Sequence, residues 1–188
     1  VLVFVEDDFV KEWVKNAIGR FGDDLGPTTS VYAAGGYPNV TQVSKFHNDN
    51  PTTVIPSVAL VDGDIFDQAA GLVLPEHAKF LGEGTPESLV FDFIYENRIR
   101  LVSLIRQRCL LSGLPEQRVV EAIESVRNSA CDPHTVFGEL SSRLDFRSAI
   151  SIRAGLIDLF NEENADFWNP IIDFVRTSAN VQELLLCD

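Results

Sequence analysis

The chain has 188 residues, 45% of them hydrophobic and 23% charged, with a formal net charge of −13. That length can bury a core, the composition is ordinary for a soluble globular protein, and no apolar run nears the ~18 residues that would suggest a membrane helix. A self-sufficient nucleic-acid binder is excluded too, because phosphate would meet repulsion unless metal ions or another domain supplied positive charge.

The acidity is concentrated at the start. Residues 1–97 hold 15 acidic and 5 basic side chains, residues 98–188 hold 13 and 10. Cys109, Cys131 and Cys187 are scattered, odd in number and in no CxxC spacing. They read as reduced core thiols of a cytoplasmic protein, not as a disulfide framework or zinc site. There is no Met, and the first residues already read as strand, so the chain is expected to be a fragment of a longer polypeptide.

Leu2 to Val5 is a continuous apolar run, suited to a strand buried on both faces. Phe9, Val10, Trp13, Val14, Ala17, Ile18 and Phe21 then recur at three- and four-residue spacing. That pattern predicts an amphipathic helix, with Asp8 as its N-cap and Gly22 closing it. Ser30 to Ala33 reads as a weak second strand. Val40, Val43 and Phe46 predict the apolar face of a short second helix, and Ser57 to Val61 is the best-defined strand. The fourth strand is expected in Leu72-Val73-Leu74 or Lys79-Phe80-Leu81. This β-α-β-α-β order implies an α/β fold, a parallel sheet of about four strands flanked by helices.

After Gly82-Glu83-Gly84 the pattern becomes helical. Pro86 suits the first position of a helix and Glu87 its first turn. Helices are expected at about 86–111, 115–129, 146–161 and 165–178. The division is a domain over residues 1–90 and an all-helical domain over 91–188.

The chemistry gathers where apolar strands stop. Glu6 follows the first strand, and Asp62-Gly63-Asp64 follows the third. In an open parallel sheet those are the carboxyl ends, where such folds place ligands. Carboxylates brought together there would share a divalent cation with hard oxygen ligands, one or two Mg²⁺ or Mn²⁺ ions. Two ions could activate water and stabilise a leaving oxygen in phosphodiester cleavage. The plainer alternative is that each acid caps a helix or turn, as Asp does widely. Asp8 in particular is explained equally well by capping.

Val3-Phe4-Val5-Glu6 followed by Ala59-Leu60-Val61-Asp62-Gly63-Asp64 resembles a TOPRIM domain, the metal-binding fold of topoisomerases, primases and certain nucleases. The later Phe80-Leu81-Gly82-Glu83-Gly84-Thr85-Pro86-Glu87 resembles the segment after the last TOPRIM strand in OLD-family (overcoming lysogenization defect) nucleases. The motifs cover about residues 1–93. The resemblance implies a metal-dependent DNA endonuclease with Glu6, Asp62 and Asp64 as catalytic metal ligands and Asp8 as a further candidate. It also implies an ATPase domain or subunit upstream, DNA as partner, and a role in phage defence or DNA repair. Asp7 stands where family members often carry Gly, Val10 where many carry an acid, and no lysine follows Lys79. Those departures leave open a catalytically inactive module serving assembly or signalling, and a homodimer through either region is compatible with the sequence.

Glu6-Asp7-Asp8 with Leu60-Val61-Asp62 also resembles a response-regulator receiver, although the expected Thr/Ser and Lys at later strand ends are missing. Candidates for contact with phosphate or DNA are Arg98, Arg106, Arg147 and Arg153. Arg98, Arg100, Arg106 and Arg108 form the one basic cluster, with 98 and 106 within about 80° on a helix. Salt bridges to acids such as Asp92, Glu96 and Glu116 are the alternative for that cluster. His47, His77 and His134 show no metal spacing with any carboxylate, and Gly35-Gly36 lacks the rest of a phosphate loop.

Overall fold

The computed structural model describes residues 1–50, 52, 53, 55–65 and 74–185, with side chains of the last helix described to residue 179. In chain order the elements are β1 (Leu2–Val5), α1 (Asp8–Phe21), β2 (Ser30–Ala33), α2 (Tyr37–Asp49), β3 (Ser57–Asp62) and β4 (Ala78–Leu81). Five helices follow: α3 (Pro86–Arg108), α4 (Glu116–Asn128), α5 (Val136–Arg143), α6 (Ala149–Glu163) and α7 (Ala165–Leu185). The four strands form one parallel sheet in the order β2-β1-β3-β4. The expected α/β architecture, a four-stranded parallel sheet followed by helices, is present.

The sheet's period of two separates its faces. Phe4, Ala59 and Val61 pack with Val40 of α2 in one core. Val3, Val5, Val58 and Leu60 alternate with them and are also buried. Every residue of β3 is buried, as a strand covered on both faces requires. The chain falls into two compact units: Val1–Pro86 with the segment from Asn164 onward, and Glu87–Glu163. These units divide at 86/87, where the sequence reading divides the chain at 90/91, and α7 groups with the sheet in the first unit. The physical reason is aromatic. Trp13 of α1 stacks on Phe167 at 5.4 Å and meets Trp168 edge-on at 4.9 Å.

Several details differ from the sequence reading. Asp7, not Asp8, caps α1: its backbone is extended and its Oδ1 accepts from the Val10 N–H at 2.9 Å. Asp8 is the first helical residue, with an 83% exposed side chain 3.4 Å from Lys11. In α2 the buried residues are Val40, Thr41 and Ser44, whereas Val43 and Phe46 are exposed. Hydrogen bonding sets this phase. Asn48 accepts from the Ser57 N–H at 3.0 Å and donates to the Ser57 carbonyl at 2.9 Å, while the hydroxyls of Ser44 and Ser57 lie 3.2 Å apart. An apolar count cannot see a face turned inward by polar groups.

The fourth strand comes from the Lys79-Phe80-Leu81 piece; Leu72 and Val73 lie outside the described residues. Helix α5 is an addition, short but well buried at Val136, Phe137 and Leu140. Helix α6 begins at 149 instead of 146, because Asp145 and Phe146 both take left-handed backbone, φ 58° and 55°. In the second unit α6 crosses the end of α3 closely, a Cβ on Gly155 meeting the Arg108 carbonyl oxygen at 2.6 Å. Beside that crossing the Cys109 thiol donates to the Ile152 carbonyl, and burial pushes its pKa up to about 12. Cys109 is thus the inert core thiol expected; Cys131 is half-buried, and Cys187 lies outside the described residues. Among the described residues no helix is long and apolar enough to cross a membrane.

Candidate metal centre

The strand order places a topological switch point between β1 and β3. From β1 the chain crosses to β2 on one side, and from β2 it returns to β3 on the other. Sheets wound this way open a crevice at the carboxyl ends of those two strands. Glu6 is the residue after β1, Asp62 ends β3, and Asp64 sits in the single helical turn that follows, Gly63–Ile65.

Glu6 links the three segments that meet there. Its Oε1 accepts from the Asp62 N–H at 3.0 Å, and its Oε2 accepts from the Tyr37 N–H at 2.9 Å. Tyr37 opens α2, whose preceding residue Gly36 offers no side-chain cap. The carboxylate therefore satisfies an N–H that the helix cannot bond internally, at the end where negative charge is favoured. Burial pushes the Glu6 carboxyl above its ordinary range. The Asp62 and Tyr37 amides pull it down, and the charges of Asp64 and Asp7 raise it further. Burial and like charge prevail over two hydrogen bonds. Glu6, Asp62 and Asp64 are thus near neighbours, as their places at the strand ends imply. Asp62 is 7% exposed, and Asp64 is half-buried.

The three acids do not form a closed cage. Glu6, Asp62 and Asp64 do not bring one oxygen each within 4.8 Å of the other two. A site in which all three acids grip one ion directly is not the observed geometry. The donor set still fits Mg²⁺ or Mn²⁺: hard carboxylate oxygens clustered against like charge suit an ion that keeps most of its waters and takes one or two protein carboxylates. Asp62 and Asp64 are the residues that would hold such an ion. Asp8, exposed and paired with Lys11, sits outside this group.

Backbone contact fixes the loop that carries Asp64. A Cβ on Gly63 would stand 2.3 Å from the Gly82 carbonyl oxygen and 2.9 Å from the Glu83 Cα. Both obstacles are backbone and neither can swing aside. Gly63→Ala is expected to cost about 1–3 kcal/mol by overpacking, read as a lower urea midpoint with an unchanged slope. An unchanged midpoint would show that the β3 and β4 loops do not meet this closely.

None of the comparisons yields a relative. No family model, no curated protein and no solved structure matches the chain.

The arginine cluster of α3 is committed elsewhere. Within the second unit Arg98 bonds Glu124, Arg100 bonds Glu163, Arg106 reaches Glu116, and Arg108 holds Asp158 and Glu162. Of the proposed phosphate contacts, Arg98 and Arg106 are therefore neutralised, Arg153 is half-buried, and Arg147 is exposed. The sequence reading also missed a pair. His134 Nδ1 lies 3.0 Å from Glu87 Oε1, and Glu87 is only 4% exposed. Its Oε2 is buried with no hydrogen-bond partner among the described residues. His134 does have a carboxylate neighbour, but 47 residues away in the chain, beyond any local spacing rule.

Proposed function

We propose that this chain is a divalent-metal-dependent nuclease module of the TOPRIM type, similar to the carboxyl-terminal half of an OLD-family enzyme and hydrolysing phosphodiester bonds in DNA. One observation carries it: acids from two separate strand ends meet at the sheet's switch point, with Glu6 bonded to the Asp62 backbone at 3.0 Å. A bound Mg²⁺ or Mn²⁺ would acidify the attacking water and offset charge on the leaving oxygen.

The chain's own residues do the rest. Asp62 and Asp64 supply oxygen donors from a turn that Gly63 locks in place. Glu6, with its proton affinity raised by burial and neighbouring acids, is suited to accept the water's proton as the P–O bond forms on one side and breaks on the other. With −13 overall charge, the module holds DNA weakly by itself, and metal or an upstream ATPase domain or subunit would strengthen that hold. Plasmid nicking with Mn²⁺, and its loss in Asp62→Asn, tests the reading.

A second reading has its own support. Both Glu6 oxygens are already engaged by backbone amides, a purely structural use of the acid. On that reading the chain is a catalytically inactive TOPRIM or receiver-like module. It would bind no catalytic metal, and small phosphodonors would modify Asp62 only in the receiver variant.

A further inference from the structure

The turn between α5 and α6 in the second unit presents groups that folding does not reward. Asp145 and Phe146 are consecutive left-handed residues, a conformation that costs a bulky L-residue energy. Phe146 is nevertheless 84% exposed, and Ile150, the second residue of α6, is 70% exposed. The turn is held in place from inside the unit. The Leu144 N–H donates to the carbonyls of Leu140 and Ser141, the Ser141 hydroxyl donates to the Arg147 carbonyl, and Arg118 lies 3.4 Å from Asp145.

Arg147 differs from its neighbours. Arg118, Arg127 and Arg143 each hold a carboxylate, as do the four arginines of α3. Arg147 is exposed and has no ion pair among the described residues. Between Glu139 and Asp158 the chain carries three arginines and one aspartate, a net positive stretch in an acidic protein. An exposed aromatic ring followed directly by an uncommitted guanidinium complements one nucleotide, which offers a base face and a phosphate.

We propose that Phe146 and Arg147 form a contact for single-stranded nucleic acid, Phe146 stacking on an unpaired base and Arg147 holding the adjacent phosphate. The proposal rests on the nuclease reading for its ligand class and adds the place where unpaired strand is gripped.

The test is fluorescence anisotropy of a labelled oligothymidylate with the full chain in EDTA, where cleavage cannot occur. Phe146→Leu should weaken binding by about tenfold, because it keeps an apolar side chain and removes the stacking face. Phe146→Trp should retain binding. Arg147→Ala should weaken it and lower the salt dependence by about 0.7 in the log–log slope, the share of one phosphate on a single strand. The proposal is overturned if Phe146→Leu and Arg147→Ala bind as the wild type does. It is equally overturned if the oligonucleotide does not bind while phosphatidylserine vesicles do. Metal-dependent cutting that needs Asp62 and ignores Phe146 would sink this contact and keep the nuclease reading. Phe146-dependent binding without any cutting would do the reverse.

Discussion

Asp62→Asn is expected to lower Mn²⁺-dependent nicking of supercoiled plasmid by about a thousandfold while leaving the urea midpoint unchanged or higher. Asp62 is buried at the end of β3, and its carboxylate is the strongest hard-ligand candidate at the switch point. Losing a metal ligand forfeits several kcal/mol of transition-state stabilisation, and each 1.36 kcal/mol is tenfold in rate. Asn keeps the shape and removes a charge from an acidic neighbourhood, so folding does not suffer. Equal nicking by wild type and Asp62→Asn across a range of Mn²⁺ and Mg²⁺ concentrations would dismiss the catalytic assignment.

The largest stability effect is expected at Trp13. Its ring is fully buried and packs on Phe9, Phe167 and Trp168 at centroid distances of 6.4, 5.4 and 4.9 Å. Trp13→Ala removes the ring and leaves a cavity whose walls are large, rigid aromatics, poorly able to collapse. The cost is about 3–5 kcal/mol, a large share of the ~5–15 kcal/mol a domain possesses. Because the contacts join α1 to α7, protease should cut first in the last helix of the variant. A loss below about 1 kcal/mol by urea denaturation would mean that α7 is not docked through this cluster.

That cluster marks a limit of what the sequence shows. Trp13 reads as core from its spacing with Val10, Val14 and Ala17, and its burial follows. Its partners 154 and 155 residues away leave no local trace, so α7 reads as one more helix of a separate domain. Short apolar runs located β1 and β3, a 3.6-residue period located α1, β2 stood out weakly at Ser30 to Ala33, and their alternation implied the parallel sheet. The phase of α2 escaped because buried Ser44 and exposed Asn48 both bond Ser57, and polar residues are invisible to an apolar count. The α5–α6 turn escaped because left-handed Asp145 and Phe146 carry no glycine to announce them.

The centre was legible in the same uneven way. Acids at the ends of apolar strands, combined with the β-α-β-α-β order, placed Glu6 beside Asp62. The cap that Glu6 provides for α2 was not foreseeable, since it depends on Gly36 giving Tyr37 no side-chain partner. Ion pairing of the arginine cluster was open as an alternative; Arg106 pairs with Glu116, one of the acids that alternative named, and Arg98 with Glu124, which it did not. The Glu87–His134 contact required knowing that the chain returns at Pro133.

The most direct measurement is calorimetric titration of the metal-free full chain with Mn²⁺, for wild type, Asp62→Asn and Asp64→Asn. If the acids at the switch point hold a shared divalent ion, wild type takes up one or two ions and each substitution weakens uptake by tenfold or more. Identical isotherms for all three proteins would contradict it.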